Sequence, residues 1–401
     1  MPPITPSKSL VNVRYEIRGP LAQRALELER SGHEIIKLNI GNPGAFGFRA
    51  PEAMRRAIIE NLETADAYTH QKGIFPAREA VVHQQQSRGV RDVTVDDVFM
   101  GNGVSELILT ALRGLLDPGD EVLVPSPDYP LWTAAVTLNG GKAVHYPCRE
   151  EDGFIPDVDA VRALVTPRTR ALVVISPNNP TGAVYPRPVM EGLARLAEEF
   201  GLVYFSDEIY DQITYDGAVH IPAATLVKKT LCITFGGLSK VYRACGYRVG
   251  WMVASGERSG ARDYLQQLDV LSALRLCSNV PGQWAVQTAL GGHQSIHELT
   301  APGGRLYETR RAVIAGCAAS HRLSAVAPAG ALYVFLRIRD AGPDFDDQRF
   351  ALELLERKHV LVTPGRGFNV PYRDHVRITL LPEARQMQEV FGRIEDLLAA
   401  R

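Results

Sequence analysis

The fold is decided by the stretch Thr230-Leu-Cys-Ile-Thr-Phe-Gly-Gly-Leu-Ser-Lys240. Its first half is apolar and rich in β-branched residues, which predicts a short buried strand. Gly236 and Gly237 predict a turn, Lys240 follows it, and Arg248 comes eight residues later. A lysine at the end of a buried strand is a candidate for imine chemistry, because desolvation lowers the pKa of an amine and frees its lone pair. Taken alone, such a lysine is more often a solvated loop residue, so the case depends on the rest of the chain.

Predicted strands and helices alternate around this stretch. Apolar strands are predicted at 95–100, 121–124, 171–175 and 202–205, and helices at 105–116 and 189–200. Such alternation is typical of a parallel sheet in an α/β domain, and near-continuous apolar strands are expected where both faces of the sheet are covered. We therefore predict a large domain with a mostly parallel sheet of the seven-stranded type, covered by helices.

The pattern changes after Gly304. A long helical stretch is followed by predicted strands at 331–338, 360–363 and 375–380 and a helix at 347–358, which indicates a smaller α+β domain. The first twenty residues are polar and proline-rich, and a helix at 21–30 and a strand at 35–40 follow them. We predict an N-terminal arm with part of the small domain at 1–45, the large domain at 46–304 and the C-terminal small domain at 305–401.

Composition excludes several classes of function. A net charge of −1, with 45% hydrophobic and 22% charged residues, gives no basic surface for nucleic acid or an anionic membrane. No apolar run approaches a membrane span, and the N-terminus lacks the apolar core of a signal peptide. Five scattered cysteines without a CxxC pair favour a reduced, cytoplasmic protein. The histidines show no HExxH spacing, so we predict no metal site.

Polar residues follow the apolar runs at four points. They are the segment 101–105, Asn179, Asp207 with Tyr210, and Lys240. Ligands of open α/β sheets bind outside the carboxyl ends of the strands, so these groups meet in one crevice if the sheet is parallel.

The segment Gly101-Asn-Gly-Val-Ser-Glu106 opens a predicted helix, whose N-terminus suits a phosphate. Ser105 could add a hydroxyl donor, although a plain strand-to-helix turn with a cap is an equal alternative. The third glycine of a dinucleotide fingerprint is replaced by Glu106, so that motif fails.

Other polar residues fit a cofactor and a carboxylate substrate. Asp207 could pair with a cationic ring nitrogen, Tyr129 could stack on an aromatic ring, and Arg377 could bind a carboxylate with its planar fork. Arg248 stands in an apolar run, where a buried arginine would need an anion. Each has a simpler alternative: Asp207 could be a cap or form a surface pair, Tyr129 could be a packed loop residue, and Arg377 could lie on the surface of an edge strand. Together, however, these groups are what pyridoxal phosphate catalysis requires.

Four motifs stand in order along the chain: Asn39-Ile-Gly-Asn-Pro43, Ser176-Pro-Asn-Asn-Pro-Thr-Gly182, Ser206-Asp-Glu-Ile-Tyr210, and Leu238-Ser-Lys240 with Arg248. They resemble the motifs of the fold-type I, class I/II pyridoxal-phosphate-dependent aminotransferases. More narrowly, the chain is similar to bacterial glutamate–pyruvate (alanine) aminotransferases at 38–43, 101–107, 127–135 and 302–307.

The resemblance implies a role for each matching residue around pyridoxal 5'-phosphate. Lys240 would carry the cofactor and serve as the catalytic base, and Asp207 would pair with the pyridine nitrogen. Asn179 and Tyr210 would bond the phenolic oxygen, and Tyr129 would stack on the ring.

The resemblance also implies a phosphate site. Its residues would be Gly103, Val104, Ser105, Ser239 and Arg248, and Tyr68 would reach the phosphate of the neighbouring subunit. Gly237 stands where many relatives have a serine or threonine, and Gly236 stands where the alanine-type pattern has an asparagine. The predicted phosphate site therefore has one hydroxyl fewer.

The implied substrates are an L-amino acid, alanine or glutamate, and a 2-oxo acid, pyruvate or 2-oxoglutarate. Arg377, with Gly41 and Asn179, would bind the α-carboxylate. Arg18 could read a distal carboxylate with Tyr15 packed beside it, the alternative being a surface arginine. The resemblance further implies a homodimer with shared active sites.

Two other functions stay open at this point. The same fold and cofactor could run an elimination, a decarboxylation or an oxidation in specialised metabolism. The second alternative is a non-catalytic relative that binds an effector and carries an added DNA-binding module. Only about 40 residues precede Gly41, and they show no helix-turn-helix pattern.

Overall fold

A computed structural model describes residues 3–11, 13, 15–339 and 341–400. The predictions for the N-terminal arm at positions 1, 2, 12 and 14 lie outside the described residues. So do positions 340 and 401 of the predicted small domain.

The described residues form thirteen strands and fourteen α-helices. The strands are β1 (Ile36–Lys37), β2 (Val98–Gly101), β3 (Glu121–Ser126), β4 (Lys142–Pro147), β5 (Thr169–Ile175), β6 (Val203–Asp207), β7 (Leu231–Gly237), β8 (Gly250–Gly256), β9 (Leu323–Ser324), β10 (Tyr333–Ile338), β11 (Val360–Leu361), β12 (Thr363–Pro364) and β13 (His375–Thr379). The helices are α1 (Pro20–Arg30), α2 (Glu52–Glu60), α3 (Phe75–Ser87), α4 (Val104–Leu115), α5 (Leu131–Leu138), α6 (Val158–Arg162), α7 (Arg187–Phe200), α8 (Arg262–Leu274), α9 (Val280–Gln283), α10 (Ala285–Gly291), α11 (Ile296–Thr300), α12 (Arg305–Ala319), α13 (Asp347–Lys358) and α14 (Ala384–Ala399).

The large sheet has seven strands in the order β2-β8-β7-β6-β5-β3-β4. The pairs β4–β3, β3–β5, β5–β6 and β6–β7 are parallel, and β8 runs antiparallel to both of its neighbours. The predicted mostly parallel seven-stranded sheet is therefore confirmed.

Both faces of this sheet are buried, as its apolar strands require. In β5, Leu172 and Val174 join the core on one face, and Val173 and Ile175 join the core on the other. Helices α3, α7 and α10 contribute to the first core, and α4, α5 and α8 contribute to the second.

The smaller domain is built around a four-stranded antiparallel sheet in the order β12-β13-β10-β9. Beside it, β1 pairs in parallel with β11, with Ile36 opposite Val360, so the N-terminal segment becomes part of the small domain. A separate core of apolar side chains joins this sheet to α12, α13 and α14. The predicted small α+β domain of C-terminal and N-terminal segments is confirmed.

One predicted turn and three predicted strands differ from the structure. Gly236 and Gly237 do not form a turn but end β7, where they pair with Trp251 and Gly250. Residues Val95–Asp97 form a 3-10 turn, because Thr94 and Asp97 make a capping box there, and β2 begins only at Val98. The strand predicted at 35–40 is reduced to β1. The strand predicted at 360–363 is divided between β11 and β12, which pair with different neighbours.

The topology determines where the polar residues meet. Strands β2, β5, β6 and β7 all run in one direction, so their carboxyl ends lie at one edge of the sheet. Because β8 runs the other way, its first residues lie at that same edge. Among the helices of the described ranges, none is long and apolar enough to cross a membrane.

Candidate active site

A cavity of about 700 Å³ lies at this edge, between the large sheet, the small domain and the N-terminal arm. All predicted site residues except Tyr68 and Gly103 line it: Tyr15, Arg18, Gly41, Val104, Ser105, Tyr129, Asn179, Asp207, Tyr210, Ser239, Lys240, Arg248 and Arg377. Residues more than 300 positions apart in sequence are thus brought into one site.

Lys240 lies just past the end of β7 and is half-buried. Its Nζ donates to the backbone oxygen of Gly41 at 2.7 Å and lies 3.9 Å from Sγ of Cys245. Cys245, which belongs to none of the sequence motifs, donates its thiol to the Ser239 carbonyl at 2.9 Å. The amine therefore lies inside the cavity and is held only by neutral acceptors.

Asp207 ends β6 and is almost completely buried. The indole Nε1 of Trp132 donates to its Oδ2 at 3.1 Å, and the backbone N–H of Ile209 donates to its Oδ1 at 3.4 Å. Burial raises the pKa of Asp207 to about 6, and the bond from Trp132 opposes that rise. An acid in this setting gains from a cationic partner, which would favour its charged form.

The N-terminus of α4 faces the cavity through Val104 and Ser105. Gly103 precedes it with a φ of +88° and provides no side-chain cap. Because the first N–H groups of an α-helix have no intrahelical partner, those of α4 can serve a ligand in the cavity. A Cβ at Gly103 would lie 2.4 Å from Nη2 of Arg248. The positive φ and the close approach of Arg248 both favour glycine at position 103.

Arg248 is exposed, so the expectation that it is buried in an apolar run is wrong. It follows the 3-10 helix Cys245–Tyr247 with a φ of +52° and lies outside β8. Its guanidinium donates to the carbonyls of Cys245 at 2.9 Å and Asn102 at 3.2 Å. These bonds hold it beside the N-terminus of α4 at the cavity rim.

Arg377 lies on β13 between β12 and β10 and is only 1% exposed, so it is not an edge-strand surface arginine. Its Nη1 donates to Oδ1 of Asn179 at 2.9 Å, and its Nη2 donates to the Asn39 carbonyl. Its Nε has no hydrogen-bond partner, and no carboxylate pairs with it among the described residues. Burial lowers its pKa, which an incoming anion would oppose.

Tyr210, a predicted site residue, forms a pair with Tyr333, which was not predicted. The hydroxyls of Tyr210 and Tyr333 lie 3.0 Å apart, and the rings meet edge to face at 5.8 Å. Gly41 is needed beside them, because a Cβ there would lie 2.1 Å from the Tyr333 hydroxyl oxygen. Tyr333 also lies under Arg377, with the guanidinium carbon 4.4 Å from the ring centroid.

The N-terminal arm reaches the cavity. The hydroxyl of Tyr15 lies 3.1 Å from that of Tyr129 on the loop before α5, and Asn39 donates to the Ile17 carbonyl at 3.0 Å. Arg18 is exposed and lines the cavity mouth. Tyr68 lies elsewhere, with 79% of its surface exposed.

Pyridoxal phosphate, the predicted cofactor, fits these residues. The uncapped start of α4, with Ser105, Ser239 and Arg248 around it, offers donors for a phosphate. The buried Asp207 offers an acid for a ring nitrogen, and Lys240 offers an amine.

Known proteins match this chain over nearly its whole length. The family described as "Aminotransferase class I and II" matches residues 33–394. Glutamate-pyruvate aminotransferase AlaA of Escherichia coli is 50% identical over 97% of this chain and 96% of that protein. Alanine aminotransferase of Mycobacterium tuberculosis is 48% identical over 98% and 92%. A crystal structure of an aminotransferase from E. coli superposes with a TM-score of 0.97 and 49% identity, covering 99% of this chain and 98% of that one.

Proposed function

Because the chain belongs to the class I and II aminotransferases, whose cofactor is pyridoxal phosphate, we propose that its substrates are alanine or glutamate and pyruvate or 2-oxoglutarate. The similarity to proteins named glutamate-pyruvate and alanine aminotransferase supports this choice. The observation that carries the proposal is Arg377, a buried arginine at the cavity wall without a carboxylate partner among the described residues. A planar guanidinium in that state matches the α-carboxylate of an amino acid or a 2-oxo acid.

Each residue of the cavity lining would have its own role in the transfer of an amino group. When bound, pyridoxal phosphate supplies an electron sink for the electron pair released as the Cα proton of the substrate leaves. Arg377 and Asn179 would hold the α-carboxylate, together with the backbone at Gly41. Lys240, the one lysine among the described residues of the cavity lining, would hold the cofactor through Nζ. Once the amine of the substrate has displaced it, the free Nζ would accept the Cα proton and pass it on to the cofactor instead of back to Cα.

The other lining residues would hold the cofactor. Asp207 would pair with the ring nitrogen, and Tyr129 would lie against the ring. Tyr210 and Asn179 would donate hydrogen bonds to the phenolic oxygen. The phosphate would lie against the backbone of Gly103 and Val104, with Ser105, Ser239 and Arg248 as further donors.

Arg18 would distinguish glutamate from alanine. It lies at the cavity mouth on the arm, and no ion pair involving it is present among the described residues. A free guanidinium there suits the distal carboxylate of glutamate or 2-oxoglutarate. Tyr15, held by its contact with Tyr129, would support the arm.

A homodimer is part of the proposal, and exposed apolar side chains on either side of Tyr68 in the sequence support it. Ile59 and Phe75 expose 65% and 54% of their surface. Gln71 donates to Asp269 at 3.0 Å, which brings the loop of Tyr68 against α8 and its exposed Leu274. We propose that these side chains lie in the subunit interface, from which Tyr68 would reach the neighbouring active site. We also propose a cytoplasmic location, supported by five cysteines that are all free thiols.

The test is a half-reaction panel. The purified enzyme with its cofactor is mixed with each of the twenty amino acids, and the loss of the cofactor's visible absorbance is followed. We expect alanine and glutamate to react fastest, and pyruvate or 2-oxoglutarate to restore the absorbance. Fastest reaction with an unrelated amino acid, or release of ammonia or CO₂ instead of an oxo acid, would refute the assignment.

A further inference from the structure

One buried carboxylate beside the cavity has no part in the chemistry above. Asp128 is completely buried, and it immediately precedes Tyr129. Thr133 donates its hydroxyl to Oδ2 of Asp128 at 2.6 Å, and Asn369 donates its amide to Oδ1 at 2.8 Å. A buried carboxylate needs such donors, and here they come from two different domains.

The bond to Asn369 is one of three hydrogen bonds between two loops. Asp128 lies between β3 and α5 of the large domain, and Asn369 follows the 3-10 helix Gly365–Phe368 of the small domain. The Asp128 N–H donates to the Phe368 carbonyl at 3.1 Å, and Ser126 donates its hydroxyl to the Asn369 carbonyl at 2.7 Å. Asn369 has a φ of +57°, a backbone conformation in which Asn and Asp are favoured.

Each loop carries one wall of the active site. Tyr129 is on the first loop and faces the cavity. Phe368 is on the second loop, fully buried, and its ring centroid lies 4.8 Å from the guanidinium carbon of Arg377. Asp128 thus connects the wall that would hold the cofactor ring with the wall that would bind the substrate carboxylate.

His145 extends the hydrogen bonds of Asp128 by one more residue. Nε2 of His145 lies 2.9 Å from the hydroxyl oxygen of Thr133, and that hydroxyl already gives its hydrogen to Asp128. His145 must therefore carry its own hydrogen on Nε2 and donate it to Thr133. Burial lowers the pKa of His145, which keeps the ring neutral. The chain of donors ends at Asp128, so the carboxylate is the acceptor on which the network depends.

We propose that Asp128 is a positioning residue that sets the distance between Tyr129 and Arg377 by joining the small-domain loop to the large domain. The proposal rests on the proposed function, because it assigns Tyr129 to the cofactor and Arg377 to the substrate. It concerns neither proton transfer nor direct contact with the reacting atoms.

A reciprocal exchange tests it. Asn369→Asp removes the amide donor and places two carboxyl groups against each other. Burial raises the pKa of Asp128 to about 7, so the two groups repel when both are charged and share a proton when they are not. Asp128→Asn in that background reverses the pair, so that the new amide donates to Asp at 369 and its oxygen accepts from Thr133. Two quantities are measured for each variant: the KM of the amino and oxo substrates, and the dissociation constant of pyridoxal phosphate from the apoprotein.

We expect Asn369→Asp to raise both quantities about tenfold, since the buried hydrogen bond from the Asn369 amide to Asp128 is lost, while kcat falls less. The exchanged double variant should return both to within about twofold of the wild type. Tyr146→Phe, which removes the buried bond from the Tyr146 hydroxyl to the Val173 carbonyl, is the matched control and should lower only stability.

Two outcomes overturn the proposal. One is an Asn369→Asp variant with unchanged KM and cofactor affinity. The other is a double variant that regains its thermal midpoint but not its KM, which would make the link purely structural. If Asn369→Asp does not fold, Asn369→Gly removes the amide donor without adding charge, at a position whose φ of +57° suits glycine, and is tested by the same two measurements. Failure of the proposed function would appear separately, because the wild type would then prefer a different amino acid. In that case the KM values of the variants are measured with the preferred amino acid.

Discussion

The indole nitrogen of Trp132 lies 3.1 Å from Oδ2 of Asp207, and among the described residues Trp132 is the one side chain that donates a hydrogen bond to this buried acid. The bond lowers the pKa of Asp207 against the rise caused by burial. Trp132 therefore helps to keep the acid charged for the ring nitrogen it would face.

Trp132→Phe should weaken cofactor binding. The change keeps an aromatic ring against Phe205 and Phe235 but leaves a buried acceptor without its donor, which costs about 1–3 kcal/mol. The pKa of Asp207 should then rise above about 6, and the cofactor affinity of the apoprotein should fall about tenfold. Titration of the apoprotein with pyridoxal phosphate measures both effects as a function of pH. Unchanged affinity at neutral pH would show that the indole bond is not needed.

Arg18→Ala should change the preference between substrates. Loss of a guanidinium that binds a distal carboxylate should raise the KM for glutamate about tenfold and leave that for alanine within about twofold. Arg24→Ala is the matched control, because Arg24 lies nearby on α1 and pairs with Glu27 and Glu356 on the surface. Steady-state kinetics with both amino acids decide the point. An equal rise in the KM values for alanine and glutamate would show that Arg18 does not bind the distal carboxylate.

Restoring a hydroxyl at position 237 should not strengthen the phosphate site. A Cβ at Gly237 would lie 2.9 Å from the Val249 carbonyl oxygen and 3.1 Å from the Cα of Gly250, and backbone atoms cannot move aside cheaply. Gly237→Ser should therefore lower the free energy of unfolding by about 1–3 kcal/mol, as overpacking does. Gly260→Ala, whose Cβ would meet nothing within 4 Å, serves as the control in denaturant unfolding. A stable serine variant with tighter cofactor binding would contradict this.

Stability should depend on pH through His375, which is buried on the strand of Arg377. Burial opposes its charge, but the hydrogen bond between Nδ1 and Asp374 at 2.7 Å and the Glu150 carboxylate 3.5 Å from Nε2 outweigh burial and raise its pKa above 6.5. A raised folded-state pKa means a stabilising contribution that is complete below pH 6.5 and is lost as the pH rises through the folded-state value.

His375→Gln should remove that contribution. The difference in unfolding free energy between wild type and variant, measured by denaturant unfolding from about pH 5.5 to about pH 9, should shrink as the pH increases. A difference that stays constant over this range would show that His375 is neutral in the folded protein.

Much of the site could be predicted because it depends on local sequence and one topological rule. Asn179, Asp207 and Lys240 each follow an apolar run, and parallel strands bring such ends together. Strand alternation likewise placed Arg377 opposite the face of its apolar neighbours.

The remaining contacts have no local signal. Trp132 meets Asp207 across 75 positions of sequence, and Tyr333 meets Tyr210 across 123, so only the tertiary structure pairs them. Arg248 stands in an apolar run, yet a positive φ and the reversed direction of β8 leave it at the rim. Periodicity alone could not reveal that reversal.

The most direct test of the account is reduction of the enzyme with borohydride in the presence of its cofactor, followed by peptide mass spectrometry. The account predicts a phosphopyridoxyl group fixed on Lys240, and no such group in a Lys240→Ala variant treated in the same way. A group trapped on another lysine, or no trapped group at all in an enzyme that transfers amino groups, would contradict the central claim.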